Sequence, residues 1–287
     1  MPRPFEPPVD SPRSLAEAYP LLAGARPIAG GTDLMVQITG ELGEPPERVV
    51  DIWGLDELRG IRIEGEFLVL GALTTYTEIQ RSDAVHQRLP VLAEVAATIG
   101  AAQIQNRGTI GGNVVNASPA GDTLPVLLAT DAVIVLGSAR GERSVLAAEF
   151  FPEYRRTARA DDELVLAVRF PIDRGRQVRF RKVGTRRAQA ISKVVIALSW
   201  RADGSGSDAR WRGVRVALGS VAPTPVRAPA TEAVLEGAAP SQETADAAAA
   251  ALEAEIQPID DVRSTAAYRK AVAGRVLHRI IRDAGGW

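Results

Sequence analysis

The hydrophobic pattern changes character along this chain. As far as about residue 220, aliphatic and β-branched residues come in short runs closed by glycine, proline or charge, which predicts strands and short helices. "RVVDIW" (48–53), "FLVLGALT" (67–74), "AVIVLG" (132–137) and "LVLAVRF" (164–170) are predicted strands, and residues 27–29 a brief one. Helices are predicted over 14–22, 90–99 and 123–130, with a helical turn in "DLMVQI". Thr75 and Glu78 have the spacing of a capping box, which places a helix start near Tyr76. Three further strands follow in series, "VRFRKV" (178–183), "VVIALSW" (194–200) and "GVRVALGS" (213–220), with a turn or loop over 201–210. The apolar spacing then lengthens to a helical period around 229–236, 241–254 and 264–283, with Ser241 as N-cap. Strands in series followed by helices predict a separate α+β unit at the C-terminal end.

Composition narrows the chemistry. The 287 residues suffice for two domains, and 46% hydrophobic with 24% charged residues is an ordinary globular balance. A net charge of -1 gives no global attraction to nucleic acid or anionic lipid. Cysteine is absent, which excludes disulfides, thiol catalysis and an iron–sulfur cluster held by this chain's own thiolates. The two histidines, His86 and His278, lie among arginines in predicted helices and are expected to be solvated, so no metal site or histidine-based triad is expected. No apolar run is long enough for a membrane span, and the proline-rich first residues lack a signal-peptide core; a cytoplasmic protein is expected.

Two segments stand apart. "AGGTD" (29–33) and "RGTIGGNVVNASPAGD" (107–122) each carry adjacent glycines followed by a small polar residue. Glycine permits positive φ and close approach of another group, and successive N–H groups in such turns form concave anion sites. Two such loops suit a pyrophosphate. The spacing is neither G-x-G-x-x-G nor a P-loop, and no lysine precedes Lys182. The alternative is that each pair is a tight turn; together, the ligand reading is favoured. Thr109, Asn113 and Ser118 are candidate side-chain contacts at the rim. Asp122 has two readings, a hydrogen-bond acceptor for a ribose or other ligand group and the N-cap of the helix at 123; Asp33 is expected to cap a helix or turn.

These segments, in this order, closely resemble the flavin-binding subunit of the molybdenum hydroxylases, the family of aerobic carbon monoxide dehydrogenase and xanthine dehydrogenase. The resemblance extends to "ELVLAVRFP", "FRKVGTRRAQAISKVVIAL", "ALGSVAPTPVRAPATEAVLEG" and "AAYRKAVAGRVLHRII". It implies an α+β fold: a two-lobed FAD-binding domain of the vanillyl-alcohol-oxidase type over 1–174 (lobes about 1–60 and 61–174). A small C-terminal domain over 175–287, with a three-stranded antiparallel sheet plus helices, follows. It implies FAD bound non-covalently. The pyrophosphate loops map onto Ala29, Gly30, Gly31, Thr32, Asp33 and Leu34, and onto Thr109, Ile110, Gly111, Gly112 and Asn113. Asp122 matches an acidic contact to the flavin nucleotide, Ile99 and Val165 match apolar contacts near the flavin, and Lys182 a lysine close to the ring. Gln105 and Ala190 depart from the family, which commonly has arginine and an acidic residue there. The implied role is an electron relay. It takes electrons from an iron–sulfur small subunit, beside a molybdopterin large subunit in a dimer of heterotrimers, and hands them to NAD, oxygen or another acceptor. No catalytic base or nucleophile is expected in this chain. The alternative is a free-standing FAD-dependent oxidase or reductase, for which Tyr76 and Tyr154 are available proton acceptors.

Overall fold

The computed structural model describes residues 6–40, 44–186, 189–204 and 209–287. Three sheets follow one another along the chain. The first is parallel, in the order β1 (Val9–Asp10), β3 (Val49–Asp51), β2 (Arg26–Ile28). Helix α1 (Leu15–Ala18), capped by Ser14, and a 3-10 turn at Tyr19–Leu21 connect β1 to β2; α2 (Leu34–Thr39) lies between β2 and β3.

The second sheet is antiparallel, in the order β4 (Ile61–Glu64), β5 (Phe67–Gly71), β8 (Leu164–Pro171), β6 (Val133–Ser138), β7 (Gly141–Leu146). Between β5 and β6 the chain makes six helices: α3 (Tyr76–Arg81), α4 (Asp83–Arg88), α5 (Pro90–Ala96), α6 (Ala102–Gln105), α7 (Ile110–Asn116) and α8 (Leu124–Ala129). Helix α9 (Ala147–Phe150) follows β7. The capping box is present: the Thr75 hydroxyl accepts from the Glu78 N–H, and the Glu78 carboxylate accepts from the Thr75 N–H at 2.7 Å. Thr75→Ala should therefore cost about 1 kcal/mol, and a denaturant melt unchanged by the substitution would contradict this.

The third sheet is antiparallel, in the order β12 (Val226–Arg227), β11 (Arg210–Gly219), β10 (Val194–Asp203), β9 (Arg176–Val183). It has four strands, not the expected three. The fourth is a two-residue edge, Ala217 facing Arg227 and Leu218 facing Val226, too short to show any hydrophobic period in sequence. Three helices complete this part: α10 (Pro229–Leu235), α11 (Gln242–Glu255) and α12 (Ala266–Gly285).

Strand β10 explains how the parts join. Val194, Ile196, Leu198 and Trp200 belong to a core shared with the last three helices, while Val195 and Ala197 belong to the core of the first two sheets. Alternate side chains point to opposite faces of a strand. An unbroken apolar run is thus what a strand buried on both faces requires.

Candidate cofactor site

Two clefts adjoin at the centre of the molecule. The first, of about 280 Å³, lies between the 29–34 segment, α7 and the start of β8. The second, of about 910 Å³, lies between the 99–122 stretch and the C-terminal sheet and loops. They meet at residues that border both, among them Thr32, Asp33, Ile99, Asn113, Asn116 and Arg155.

The 29–34 segment is built to be open on one side. Gly31 takes a left-handed φ of 77°, which turns the chain from β2 into α2. Gly30 lies directly on the Arg107–Gly108 backbone, where any Cβ would overlap the Arg107 carbonyl. The N–H groups from Gly30 to Leu34 have no partner among the described residues, although the carbonyls of Gly31 and Asp33 accept from Met35 and Gln37 in α2. Unpaired N–H groups facing a cleft form an anion-binding concavity.

The second glycine segment is different. Residues expected as a loop form α7, with the Thr109 hydroxyl as N-cap accepting from Gly112 N–H. Ile110 N–H donates to Thr74 O and Gly111 N–H to Ala72 O, both at 2.9 Å. These N–H groups are therefore satisfied within the protein. Gly111 is small because α7 packs on the end of β5: an added Cβ would lie 2.7 Å from Ala72 Cβ. Ile110 is fully buried in the core and borders neither cleft.

The remaining candidates distribute between the clefts. Thr109, Gly111, Gly112 and Val165 border the first; Ser118, Asp122 and Lys182 border the second; Ile99 and Asn113 border both. Asn113 Oδ1 accepts from the Thr123 hydroxyl, which orients its amide. Asp122 does not cap α8, whose N-cap is Thr123 without a side-chain cap bond. Its Oδ2 instead accepts from Lys182 Nζ at 2.6 Å, and Lys182 also donates to Thr98 O at 3.0 Å. Both side chains are nearly buried, at 10% and 9% exposure. Asp122 Oδ1 is buried and makes no hydrogen bond of proper geometry, although the Ser192 side chain lies near the carboxylate. Burial pushes the Asp122 carboxyl above its ordinary range, with Lys182 opposing. Asp33 stands at the N-cap of α2 but makes no cap bond; its Oδ1 accepts from Asn116 Nδ2 at 2.9 Å, linking the two glycine segments. Burial raises its pKa too, and the Arg155 charge and the Asn116 bond oppose the rise.

Of the tyrosines, Tyr76 is buried at the first cleft, its hydroxyl near Thr123 but making no hydrogen bond of proper geometry; burial pushes its pKa upward. Tyr154 is exposed, with its hydroxyl accepting from Arg155 Nε at 3.3 Å. Gln105 Nε2 donates to Ile99 O at 3.0 Å and its Oε1 accepts from Gln80, which braces the Ile99 turn. Ala190 borders the second cleft. His86 contacts Gln80 O, and His278 contacts Gln242 and Asp246, away from both clefts. No group of three or more metal-ligating side chains occurs among the described residues.

Three arginines were not anticipated. Arg26 and Arg159 border the first cleft and Arg155 borders both. Burial lowers the pKa of Arg159, and the nearby Arg26 charge adds to the effect. The signal available was the arginine cluster in "YRRTARADDE" (154–163), between two predicted elements; nothing in the sequence says that this loop folds back over the glycine segments.

Residues 4–173 match the family described as "FAD binding domain in molybdopterin dehydrogenase", and residues 179–284 match "CO dehydrogenase flavoprotein C-terminal domain". The chain belongs to the FAD-binding medium-subunit family of the molybdenum hydroxylases. Among members of this family, it is 34% identical over 279 residues to the carbon monoxide dehydrogenase medium chain of Hydrogenophaga pseudoflava, covering 96% of this chain and 95% of the relative. It is 30% identical over 283 residues to the xanthine dehydrogenase FAD-binding subunit of Escherichia coli O157:H7, covering 95% of each. The solved structure of carbon monoxide dehydrogenase from Hydrogenophaga pseudoflava matches with a TM-score of 0.90 at 35% identity over 96% of both chains. Quinoline 2-oxidoreductase from Pseudomonas putida 86 matches with a TM-score of 0.91 at 26% identity over 98% of both.

The clefts fit the family's FAD. Open N–H groups at 30–34 match a diphosphate, Asp122 Oδ1, which makes no hydrogen bond of proper geometry, is an acceptor for a ligand donor, and Ile99 and Val165 offer apolar surface. Among the described residues no helix is long and apolar enough to cross a membrane.

Proposed function

We propose that this chain is the electron-transfer subunit of a multi-subunit molybdenum hydroxylase. In this reading it works in the cytoplasm beside an iron–sulfur small subunit and a molybdopterin large subunit, in a dimer of heterotrimers. It divides into a FAD-binding domain over 1–174 and a C-terminal domain over 175–287. The observation that carries the reading is similarity along almost the whole chain to medium chains such as that of carbon monoxide dehydrogenase. The final acceptor is NAD, oxygen or another oxidant.

Bound FAD supplies the redox chemistry, and the protein supplies binding and electrostatics. The flavin half fits the larger cleft, against Ile99, Asp122 and Lys182, and the adenosine half fits the smaller one; Val165, expected beside the flavin, borders only the smaller cleft and so falls on the adenosine side. The 29–34 segment offers N–H donors to the diphosphate between them. Asn113 and Thr109 line the opposite wall, and Ser118 lies at the flavin end. Lys182 and Asp122 hold a charge pair where the C-terminal sheet meets the first domain, which orients the Asp122 carboxylate. In this reading the FAD is held non-covalently, and neither cysteine nor histidine borders either cleft.

Calorimetric titration of the flavin-stripped chain tests this. FAD should bind, with FMN at least about 100-fold weaker because it lacks half of the diphosphate and the adenosine. NAD serves as a control for general dinucleotide affinity. A folded chain that ignores FAD, or one that binds FMN equally well, would overturn the two-cleft placement.

A further inference from the structure

We infer that Arg155 is the cationic contact for the cofactor diphosphate, brought over the cleft junction by the loop between α9 and β8. This rests on the FAD reading and adds to it a residue outside both glycine segments.

The diphosphate is the midpoint of FAD, so it belongs where the two clefts meet. Of the described side chains that border both clefts, Arg155 is the one cation. Lys182 is committed to Asp122, and Arg26 and Arg159 border only the first cleft. The α7 N–H groups are already bonded to Thr74, Ala72 and Thr109, so the second glycine segment brings little positive charge to this point. The junction also carries the Asp33 carboxyl, which would repel a diphosphate unless a cation stood beside it.

Arg155 is placed for that role. Its Nη1 donates to Asn116 Oδ1 at 3.1 Å, Asn116 Nδ2 donates to Asp33, and Nε donates to the Tyr154 hydroxyl at 3.3 Å. One chain of hydrogen bonds thus ties the loop to the end of α7 and to the first glycine segment. Arg155 Nη2 has no protein partner, and no carboxylate is within ion-pair distance of the side chain among the described residues. A guanidinium is the side chain suited to directed contacts with phosphate oxygens. The backbone at Arg155 is left-handed, with φ of 54°, a conformation that glycine adopts more easily. A site chosen for backbone shape alone would favour glycine.

That last fact supplies a test that separates binding from folding. FAD is titrated into stripped wild type, Arg155→Gly, Arg155→Lys and Arg156→Gln at two ionic strengths. Arg156 is the control: it is exposed and paired with Glu153 at 3.5 Å. Arg155→Gly should melt close to wild type, because relief of the left-handed backbone offsets the loss of the exposed bonds to Asn116 and Tyr154. It should nevertheless bind FAD about 10- to 100-fold more weakly, as expected for loss of charge-assisted hydrogen bonds. Its affinity should also respond less to salt. Arg155→Lys should recover part of the loss, and Arg156→Gln should stay within about twofold of wild type, as for an exposed ion pair. Two results would overturn the assignment: normal FAD affinity in Arg155→Gly, or a loss that leaves the salt dependence intact and that lysine does not rescue. Failure of wild type itself to bind FAD would instead overturn the cofactor reading on which the assignment rests.

Discussion

Gly30→Val is expected to destabilise the chain by roughly 3 kcal/mol or more and to leave the purified protein without FAD. The reason is local and steric. Gly30 lies on the backbone of Arg107 and Gly108, and a Cβ would overlap the Arg107 carbonyl. A carbonyl cannot rotate aside as a flexible side chain can, so one glycine segment must move off the other. The junction of the two clefts lies between those segments. For a chain of 287 residues the loss corresponds to a melting-temperature drop of about 5 °C. Gly54→Ala is the matched control, since nothing lies within 4 Å of its added Cβ; it should stay within about 0.5 kcal/mol. Calorimetry of both variants, with flavin content read from the absorption spectrum, checks the expectation. A Gly30→Val protein that melts with wild type would remove the close-approach explanation for this glycine.

The second large effect is expected at Lys182. Lys182→Met leaves Asp122 nearly buried with one oxygen already lacking a hydrogen bond of proper geometry and the other newly deprived of one. Breaking a buried pair from one side costs about 3–5 kcal/mol. The effect depends on pH in a definite direction. The Asp122 carboxyl is raised in the folded state, first by burial. Its contribution is fully present below the ordinary value of 3.8 and is lost as pH rises through the raised folded value. Lys182 opposes that rise, so its removal pushes the folded value higher and extends the loss to higher pH. The deficit of Lys182→Met should be largest near neutrality and should shrink on acidification. Asp122→Asn in the same chain should recover part of it. Urea melts at neutral and mildly acidic pH distinguish the outcomes; a deficit independent of pH would mean that packing of the lysine stem, not its charge, is what matters.

The legibility of the chain varied with burial. Strands buried on both faces were plain in sequence because an apolar run survives any register, as in β10. Edge strands were not. β7 is almost wholly exposed and shows no apolar period; β4 does alternate, Ile61 and Ile63 with Arg62 and Glu64, but over only four residues, too few to stand out. They exist because β6 and β5 offer them hydrogen-bonding edges. The short helices α4, α6 and α9 were likewise not predicted, and α7 contradicts propensity outright. Two adjacent glycines argue against a helix, yet the Thr109 cap and the bonds to Ala72 and Thr74 hold one there. Asp33 stands at the N-cap of α2 as its sequence context predicts, though without a cap bond, while Asp122 does not take the N-cap of α8, which falls to Thr123. Each has the sequence context of an N-cap, but each finds a partner far along the chain, Asn116 and Lys182, in place of the local N–H.

By itself, then, the sequence determined the family, the two glycine segments and the alternation that makes the central strands, because each is a local pattern of side-chain size or polarity. Of the sixteen residues it named as cofactor contacts, all but Ile110 border one cleft or the other. Only the tertiary structure decided which glycines stand clear for a ligand and which stand clear for the protein's own backbone: both segments carry adjacent glycines followed by a small polar residue, and what decides between them is what packs behind each. Only the tertiary structure, too, brought Arg155 from its loop to the junction of the clefts, since it bonds Asn116, 39 positions back, and through it meets Asp33, and no local pattern encodes either.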